Sequence, residues 1–278
     1  MKQPEHLYWD GRSLIPVREP PTPHVIDSFV VEAGAVRGGA LHIARFSRSA
    51  RALCDLTEAR LTRFTRAIVK YLPGRTAFVR LGADVEGQLT LCLRPLPPSP
   101  PSVALWVGHA DERREPLHKG PDLILSANLR DAASDHRCHA GVFCDVTPFA
   151  TELIEADYAA LVGIIDGHLI HSANPRRLPS VTEHLLRRWA AEYGMPSTAD
   201  RLTPELLCSG PFWLVNARIG AVPVTELVVG DDAARPLPLA PERTNELRRW
   251  LSRLAQPVDA ETWIEAARGN TDTVIQSN

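Results

Sequence analysis

Arg114-Glu115-Pro116-Leu117-His118-Lys119-Gly120-Pro121-Asp122 carries one of only three lysines in a 278-residue chain whose 31 basic residues are otherwise arginine. Arginine stays protonated in proteins and cannot act as an amine nucleophile, whereas lysine can lose its proton and form a Schiff base. Lys2 stands at a terminus, and Lys70 falls on the polar side of a helical pattern. Lys119 is therefore the first residue from which chemistry is expected. Taken alone, a lysine in a Pro- and Gly-punctuated loop is equally well a solvated side chain, so the residues on either side decide.

Upstream, Leu7 to Val17 reads as two short strands around Asp10-Gly11, a hairpin signal, and Val25 to Gly38 repeats the device around Ala33-Gly34. His42 to Leu53 sets Ile43, Phe46, Ala50 and Leu53 at helical spacing, and Thr57 to Leu72 predicts a second amphipathic helix. Thr76 to Leu81 and Gln88 to Leu93 alternate as half-buried strands do. Pro95 to Pro101 then holds five prolines in seven residues, which no helix interior or central strand tolerates. After a strand at Val103 to Val107 the chain turns polar from Asp111 to Pro121. The domain boundary is placed there, giving domains 1–112 and 113–278, the second with Lys119 at its threshold.

Downstream, a helix is expected near Asp122 to Ala133 and strands near Ala140 to Val146, Ala159 to Ile165 and Leu169 to His171. A helix from Ser180 to Tyr193 stops at Gly194, and Phe212 to Asn216 reads as a buried strand. Helices near Pro241 to Ala255 and Asp259 to Ala267 close the chain. Strands and helices mix without regular alternation, which predicts an α+β fold.

A net charge of −2 and an apolar fraction of 44% describe a soluble globular protein with no nucleic-acid surface. No apolar run is long enough to span a membrane, and the N-terminus has no secretory h-region. Five scattered cysteines fit reduced thiols in a cytoplasm. Asp135-His136-Arg137-Cys138-His139 with Cys144 fits no zinc spacing, so no metal is expected. There is no Gly-x-Ser-x-Gly elbow and no Walker-type loop.

A lysine Schiff base to pyridoxal phosphate needs an acid for the pyridine nitrogen, an anion site at a helix N-terminus and an arginine for the phosphate. Candidates for each occur in order along the chain. Tyr8 to Pro16 is an opening hairpin, and His42-Ile43-Ala44-Arg45-Phe46 is a His-x-x-Arg helix. Lys119 follows, then Leu153-Ile154-Glu155, Leu178-Pro179-Ser180-Val181-Thr182, and Val215-Asn216-Ala217-Arg218 before Val222-Pro223-Val224. In this order the chain resembles the class IV aminotransferase family, the fold-type IV pyridoxal-phosphate enzymes. That family includes D-amino-acid and branched-chain aminotransferases and 4-amino-4-deoxychorismate lyase.

The resemblance implies a two-domain, D-amino-acid aminotransferase-like fold. A small N-terminal α/β domain and a larger C-terminal domain with a barrel-like sheet would hold the cofactor in the cleft between them. It implies Lys119 as the Schiff-base lysine and catalytic base. Arg45, Glu155, Val181, Thr182, Asn216 and Ala217 would bind cofactor, Glu155 at the ring nitrogen. Arg218 and Ser28 are the substrate-side candidates. It further implies a small-molecule amine substrate and a homodimer. On the residues alone, Arg45 is equally a surface arginine, Glu155 a loop carboxylate, Thr182 a helix starter and Asn216 a turn former. Asp27-Ser28-Phe29-Val30-Val31 lacks the arginine the family has there, and Ala160-Leu161-Val162 replaces its Asn-Leu-Phe. Both departures touch the substrate side.

Two exits follow loss of the Cα proton. Reprotonation at the cofactor gives transamination, and loss of a β-substituent gives a lyase. Val215-Asn216-Ala217 is similar to the lyase form of the second phosphate loop, which tilts the expectation toward elimination with release of pyruvate. An amino-acid aminotransferase is the alternative. A non-catalytic ligand-binding paralogue is a third reading, motivated by the altered substrate side and opposed by the retained Lys119 and Glu155.

Overall fold

Residues 3–147 and 150–269 are described by the structure, a computed structural model of the chain. Asp10 begins it as expected. Its carboxylate accepts the N–H groups of Arg12 and Ser13 at 2.8 and 2.7 Å, Gly11 takes φ 98°, and β1 (Glu5–Trp9) folds back on β2 (Leu14–Pro16). Ala33 and Gly34, at φ 48° and 80°, turn β3 (Val25–Glu32) into β4 (Ala35–Arg37). The helical spacing becomes α1 (Gly39–Leu53), which buries Ile43, Phe46 and Ala50, and α2 (Glu58–Tyr71), which buries Leu61, Phe64 and Ile68. Thr57 caps α2 by accepting the Arg60 N–H. β5 (Ala77–Ala83) and β6 (Leu89–Arg94) precede the proline run.

The chain continues through β7 (Val103–Ala110), α3 (Leu123–Asp135), β8 (Ala140–Thr147), β9 (Ala150–Ala156), β10 (Ala160–Ile165) and β11 (His168–Ser172). Then come α4 (Val181–Glu192), β12 (Ser197–Asp200), the single-turn α5 (Pro204–Leu207), β13 (Phe212–Asn216), β14 (Gly220–Val229) and β15 (Arg235–Pro236). α6 (Pro241–Arg253), β16 (Ala255–Pro257) and α7 (Ala260–Arg268) end the described chain. No helix among the described residues is long and apolar enough to cross a membrane.

The strands form two sheets, one in each of two compact units. The first unit comprises 1–98, 118–121 and 252–278, and its antiparallel sheet runs β16-β4-β3-β5-β6-β1-β2. The second comprises 99–117 and 122–251, with a mixed sheet β12-β11-β10-β13-β14-β7-β8-β9 and β15 on β14. β7 lies parallel to both of its neighbours there. A bridge between Leu153 of β9 and Leu202, just beyond β12, links the two edges of this second sheet. It therefore curls toward closure around Val103, Leu105, Val142, Leu214 and Val222. The α+β class and barrel-like sheet are as expected.

The division is not the single cut at residue 112. The C-terminal segment returns to the first unit, where β16 pairs with β4. Trp263 of α7, 4% exposed, meets the edge of Phe29 and fills the space a Cβ on Gly39 would need. Residues 118–121 also join the first unit, so Lys119 packs with the N-terminal domain and not with the C-terminal one. A composition shift marks where loops gather along the chain. It carries no information on which later segments fold back.

Candidate active site

In the first unit, His42 and Arg45 stand three residues apart on α1 and share a face. That face meets β3, whose alternation turns Asp27 and Phe29 toward the helix. Asp27 is fully enclosed. Its Oδ1 accepts from His42 Nδ1 at 2.8 Å and Arg45 Nη2 at 3.0 Å, and its Oδ2 accepts from Arg45 Nε at 2.7 Å. Burial works to raise the Asp27 pKa, but the Arg45 charge and the His42 ring outweigh it and hold the carboxyl well below its usual range. Burial likewise lowers His42, against the pull of Asp27. Arg45 thus has its orientation set by a carboxylate from the stretch where the family arginine is missing.

Lys119 is half-buried in the same unit. Its carbonyl accepts the Ile26 N–H at 2.8 Å, which lays the segment along the edge of β3. His118 Nδ1 is 3.0 Å from Ser49 Oγ on α1. Gly120 takes φ 137° against His24, where a Cβ would collide with the carbonyl. Ser28 points away from Asp27 on β3, and its hydroxyl accepts from Arg94 Nη2 at 3.3 Å.

In the second unit, Glu155 lies on β9 and is 6% exposed, so it is no loop carboxylate. Arg113 Nη1 donates to its Oε1 at 2.5 Å, and the Leu178 N–H at 2.9 Å. Arg113 also donates to both oxygens of Asp111, at 2.8 and 3.1 Å, and lies 4.0 Å over the Phe143 ring. Arg176 Nε reaches Asp111 at 3.0 Å. Burial works against the Arg113 charge, but Asp111 and Glu155 outweigh it and raise its pKa. Two acids, Asp111 and Glu155, thus face two arginines, Arg113 and Arg176. Asp111 and Arg113, which hold Glu155 in place, are residues the sequence did not mark, since they sit in a charged loop and Arg113 lies 42 residues before Glu155.

Leu178 leads directly into α4. Ser180 caps it by accepting the Glu183 N–H at 3.3 Å, while the N–H groups of Val181 and Thr182 lie at the first two helical positions, where no intrahelical acceptor exists. Both side chains are buried. Glu183, also in the first turn, is gripped by Arg177 Nη1 at 2.7 and 2.9 Å. Burial, opposed by Arg177, pushes its carboxyl up to about 7. Asn216 ends β13 as a turn former. Its Oδ1 accepts from the N–H groups of Arg218 and Ile219 at 2.8 and 2.9 Å, and its Nδ2 donates to the Tyr158 carbonyl at 3.1 Å. Ala217 is the first residue of that turn.

This donor set suits pyridoxal phosphate. The second unit joins a buried, arginine-paired carboxyl group and an open helix N-terminus through the short stretch 178–180, matching a pyridine ring nitrogen and a phosphate dianion. Lys119, Arg45 and Ser28 are together in the first unit. Glu155, Val181, Thr182, Asn216, Ala217 and Arg218 are together in the second.

The family model for amino-transferase class IV matches residues 24–227. No curated protein matches the chain in sequence. Among solved structures, the fold IV transaminase CpuTA1 of Curtobacterium pusillum superposes with a TM-score of 0.71 at 18% identity, covering 91% of this chain and 100% of its own. The branched-chain amino acid aminotransferase of Escherichia coli gives a TM-score of 0.71 at 14% identity, covering 93% and 96%. A branched-chain amino acid aminotransferase from T.th., solved with pyridoxamine 5'-phosphate, gives 0.68 at 15% identity, covering 96% of each chain. Likeness at such identity speaks for the fold.

Proposed function

The chain belongs to the amino-transferase class IV family of pyridoxal-phosphate enzymes, and from that membership we propose that it transfers an amino group from an amine-bearing acid to a keto acid. The observation that carries the reading is Glu155, buried, paired with Arg113 and tied through Leu178 to the start of α4.

Pyridoxal phosphate supplies an aldehyde that captures amines and a ring that accepts the electron pair left at Cα. Lys119 Nζ would hold the aldehyde carbon and, once displaced by substrate, carry the Cα proton. Glu155 would hold a proton on the ring nitrogen. The Val181 and Thr182 N–H groups, the Ala217 turn and Arg45 would take the phosphate, with Asn216 shaping that turn. Arg218 would meet a substrate carboxylate, with Ser28 beside the substrate.

Elimination with release of pyruvate, as in 4-amino-4-deoxychorismate lyase, is the second reading, and Asn216 favours it by its position. The Asn216 side chain is engaged in the turn and with Tyr158, however, which suits a role in shaping the loop. A second copy of the chain is the proposed partner, since Leu123 and Ile124 of α3 are exposed at 40% and 67%, and Leu117 six residues earlier than Leu123 at 45%. Five free thiols suit a reducing compartment such as the cytoplasm.

The test is absorption of purified protein with pyridoxal phosphate, followed by borohydride fixation and peptide mass analysis. A visible band, and cofactor mass on the peptide containing Lys119, are expected in wild type and absent in Lys119→Ala. Turnover in the variant should fall by about 10²–10⁴ or more. Keto-acid-dependent amine transfer supports the first reading, and pyruvate formed without an acceptor supports the second. Absence of the band in wild type would leave the non-catalytic paralogue.

A further inference from the structure

Ser180 and Glu183 stand at the cap and the third position of α4, the spacing of a capping box, and the Ser180 hydroxyl accepts the Glu183 N–H at 3.3 Å. The carboxyl that would complete the box by turning back to the cap goes to Arg177 instead. Arg177 Nη1 donates to both of its oxygens, at 2.7 and 2.9 Å. Glu183 is 3% exposed, so a charge there is held away from water. It directly follows Val181 and Thr182, whose N–H groups have no intrahelical acceptor.

The groups around Glu183 all lie in the second unit. From β11, His171 places Nδ1 3.8 Å from Glu183 Oε1, and the same nitrogen lies 3.3 Å from the Ser172 carbonyl. Burial, with Arg177 next, holds the His171 imidazole down at about 4, so near neutral pH it lends Glu183 no cation. Arg177, and Arg187 one turn further along α4, pull the Glu183 pKa down, while Glu155 on β9 pushes it up. β12 and β13 also pack on α4. β13 carries no ionisable side chain, and Asp200 of β12 is exposed. Burial outweighs both arginines and leaves the Glu183 carboxyl at about 7.

A phosphate at the start of α4 would bring a second anion to the place where Arg177 already serves one. A dianion beside the Val181 and Thr182 N–H groups disfavours the Glu183 charge, as like charges do when they share a buried site. A proton on Glu183 removes that repulsion and leaves the Arg177 charge and the positive end of the helix to the phosphate.

We propose that Glu183 takes up a proton from solvent as a phosphate group settles at the start of α4, so that cofactor affinity is highest with Glu183 neutral and falls as it ionises. The assignment rests on the function proposed above, in which that phosphate belongs to pyridoxal phosphate. Glu183 is then a positioning residue, acting through Arg177 and the helix start.

Pyridoxine 5'-phosphate tests it, because this compound carries the ring and the phosphate but no aldehyde for Lys119. Calorimetric titration from pH about 6.5 to about 8.5, above the second phosphate pKa of about 6, gives Kd. Repeating it at pH about 7.5 in two buffers of different ionisation enthalpy counts the protons taken up. Protons exchanged by the ring are common to wild type and variants, so the difference between them reports Glu183. Across this range Kd should rise about fivefold more, or beyond, in wild type than in Glu183→Gln, with about half a proton more taken up per ligand. Arg177→Gln removes a cation that lowers Glu183, and should move the fall in affinity to higher pH. Should Glu183→Gln fail to fold, the direction of that second shift decides alone. Superposed profiles and equal proton uptake in wild type and Glu183→Gln overturn the proposal and leave Glu183 a structural partner of Arg177. Wild type that binds no pyridoxine 5'-phosphate at any pH rejects the cofactor reading, and this proposal with it.

Discussion

Without the Arg113 guanidinium, Glu155 would remain 6% exposed and lose its cationic partner. Removing one partner of a buried ion pair costs about 3–5 kcal/mol, so Arg113→Ala should lower the unfolding free energy from urea titration by that amount and weaken the visible band of bound cofactor. His171 offers a test by pH. Burial, with Arg177 next, holds its imidazole down at about 4, against about 6.5 for an exposed histidine. Between these values the unfolded chain binds a proton that the folded chain refuses. Stability complete above pH about 6.5 is therefore lost as pH falls toward about 4. Glu183 acts in the opposite sense, since its pKa is raised and its contribution is lost as pH rises from about 4.5 toward 7. Urea midpoints at pH 4.5 and 7 should show a shallower acid loss in His171→Gln and a steeper one in Glu183→Gln. Lys119, Glu155 and Thr182 stood out from sequence by order and spacing. Asp27, Arg113 and Asp111 did not, because each acts through a partner distant along the chain.

At the scale of elements, α4 separates folding from binding. Asp replaces Ser as an N-cap without loss, so Ser180→Asp should keep the melting temperature. The added carboxylate would stand a few Å from the proposed phosphate, at a cost of about 1–4 kcal/mol, and the cofactor Kd should rise about tenfold or more. An unchanged Kd would remove the phosphate from the start of α4. The segment 118–121 yields another expectation. Gly120 has φ 137° and no room for a Cβ beside His24, so Gly120→Ala should cost about 1–3 kcal/mol and reduce borohydride fixation at Lys119. Hairpins at Asp10-Gly11 and Ala33-Gly34 and the helices of the first unit were legible because turn chemistry and periodicity are local. β9 and β14 were not drawn as strands. β9 has its edge tied by the bridge to Leu202, a pairing that no window of sequence contains.

For the whole molecule, the return of the C-terminus predicts that residues 1–98 do not fold alone. Without β16 and α7 that fragment would leave the edge of β4 and the Phe29 side of α1 uncovered. Circular dichroism of the fragment should show no cooperative melting, whereas the full chain should show it. In the full chain, Trp263→Ala should cost about 3–5 kcal/mol by opening a cavity.

The amino-acid sequence by itself determined the local devices: where the chain turns, which helix faces are apolar, and the order in which one lysine, one glutamate and two phosphate-loop motifs follow each other. These depend on neighbours within a few residues, where steric and capping preferences act directly. Only the tertiary structure decided which unit holds Lys119 and that Glu155 is buried against Arg113. Each of those depends on burial and on Coulomb interaction between groups that the chain separates and the sheets bring together.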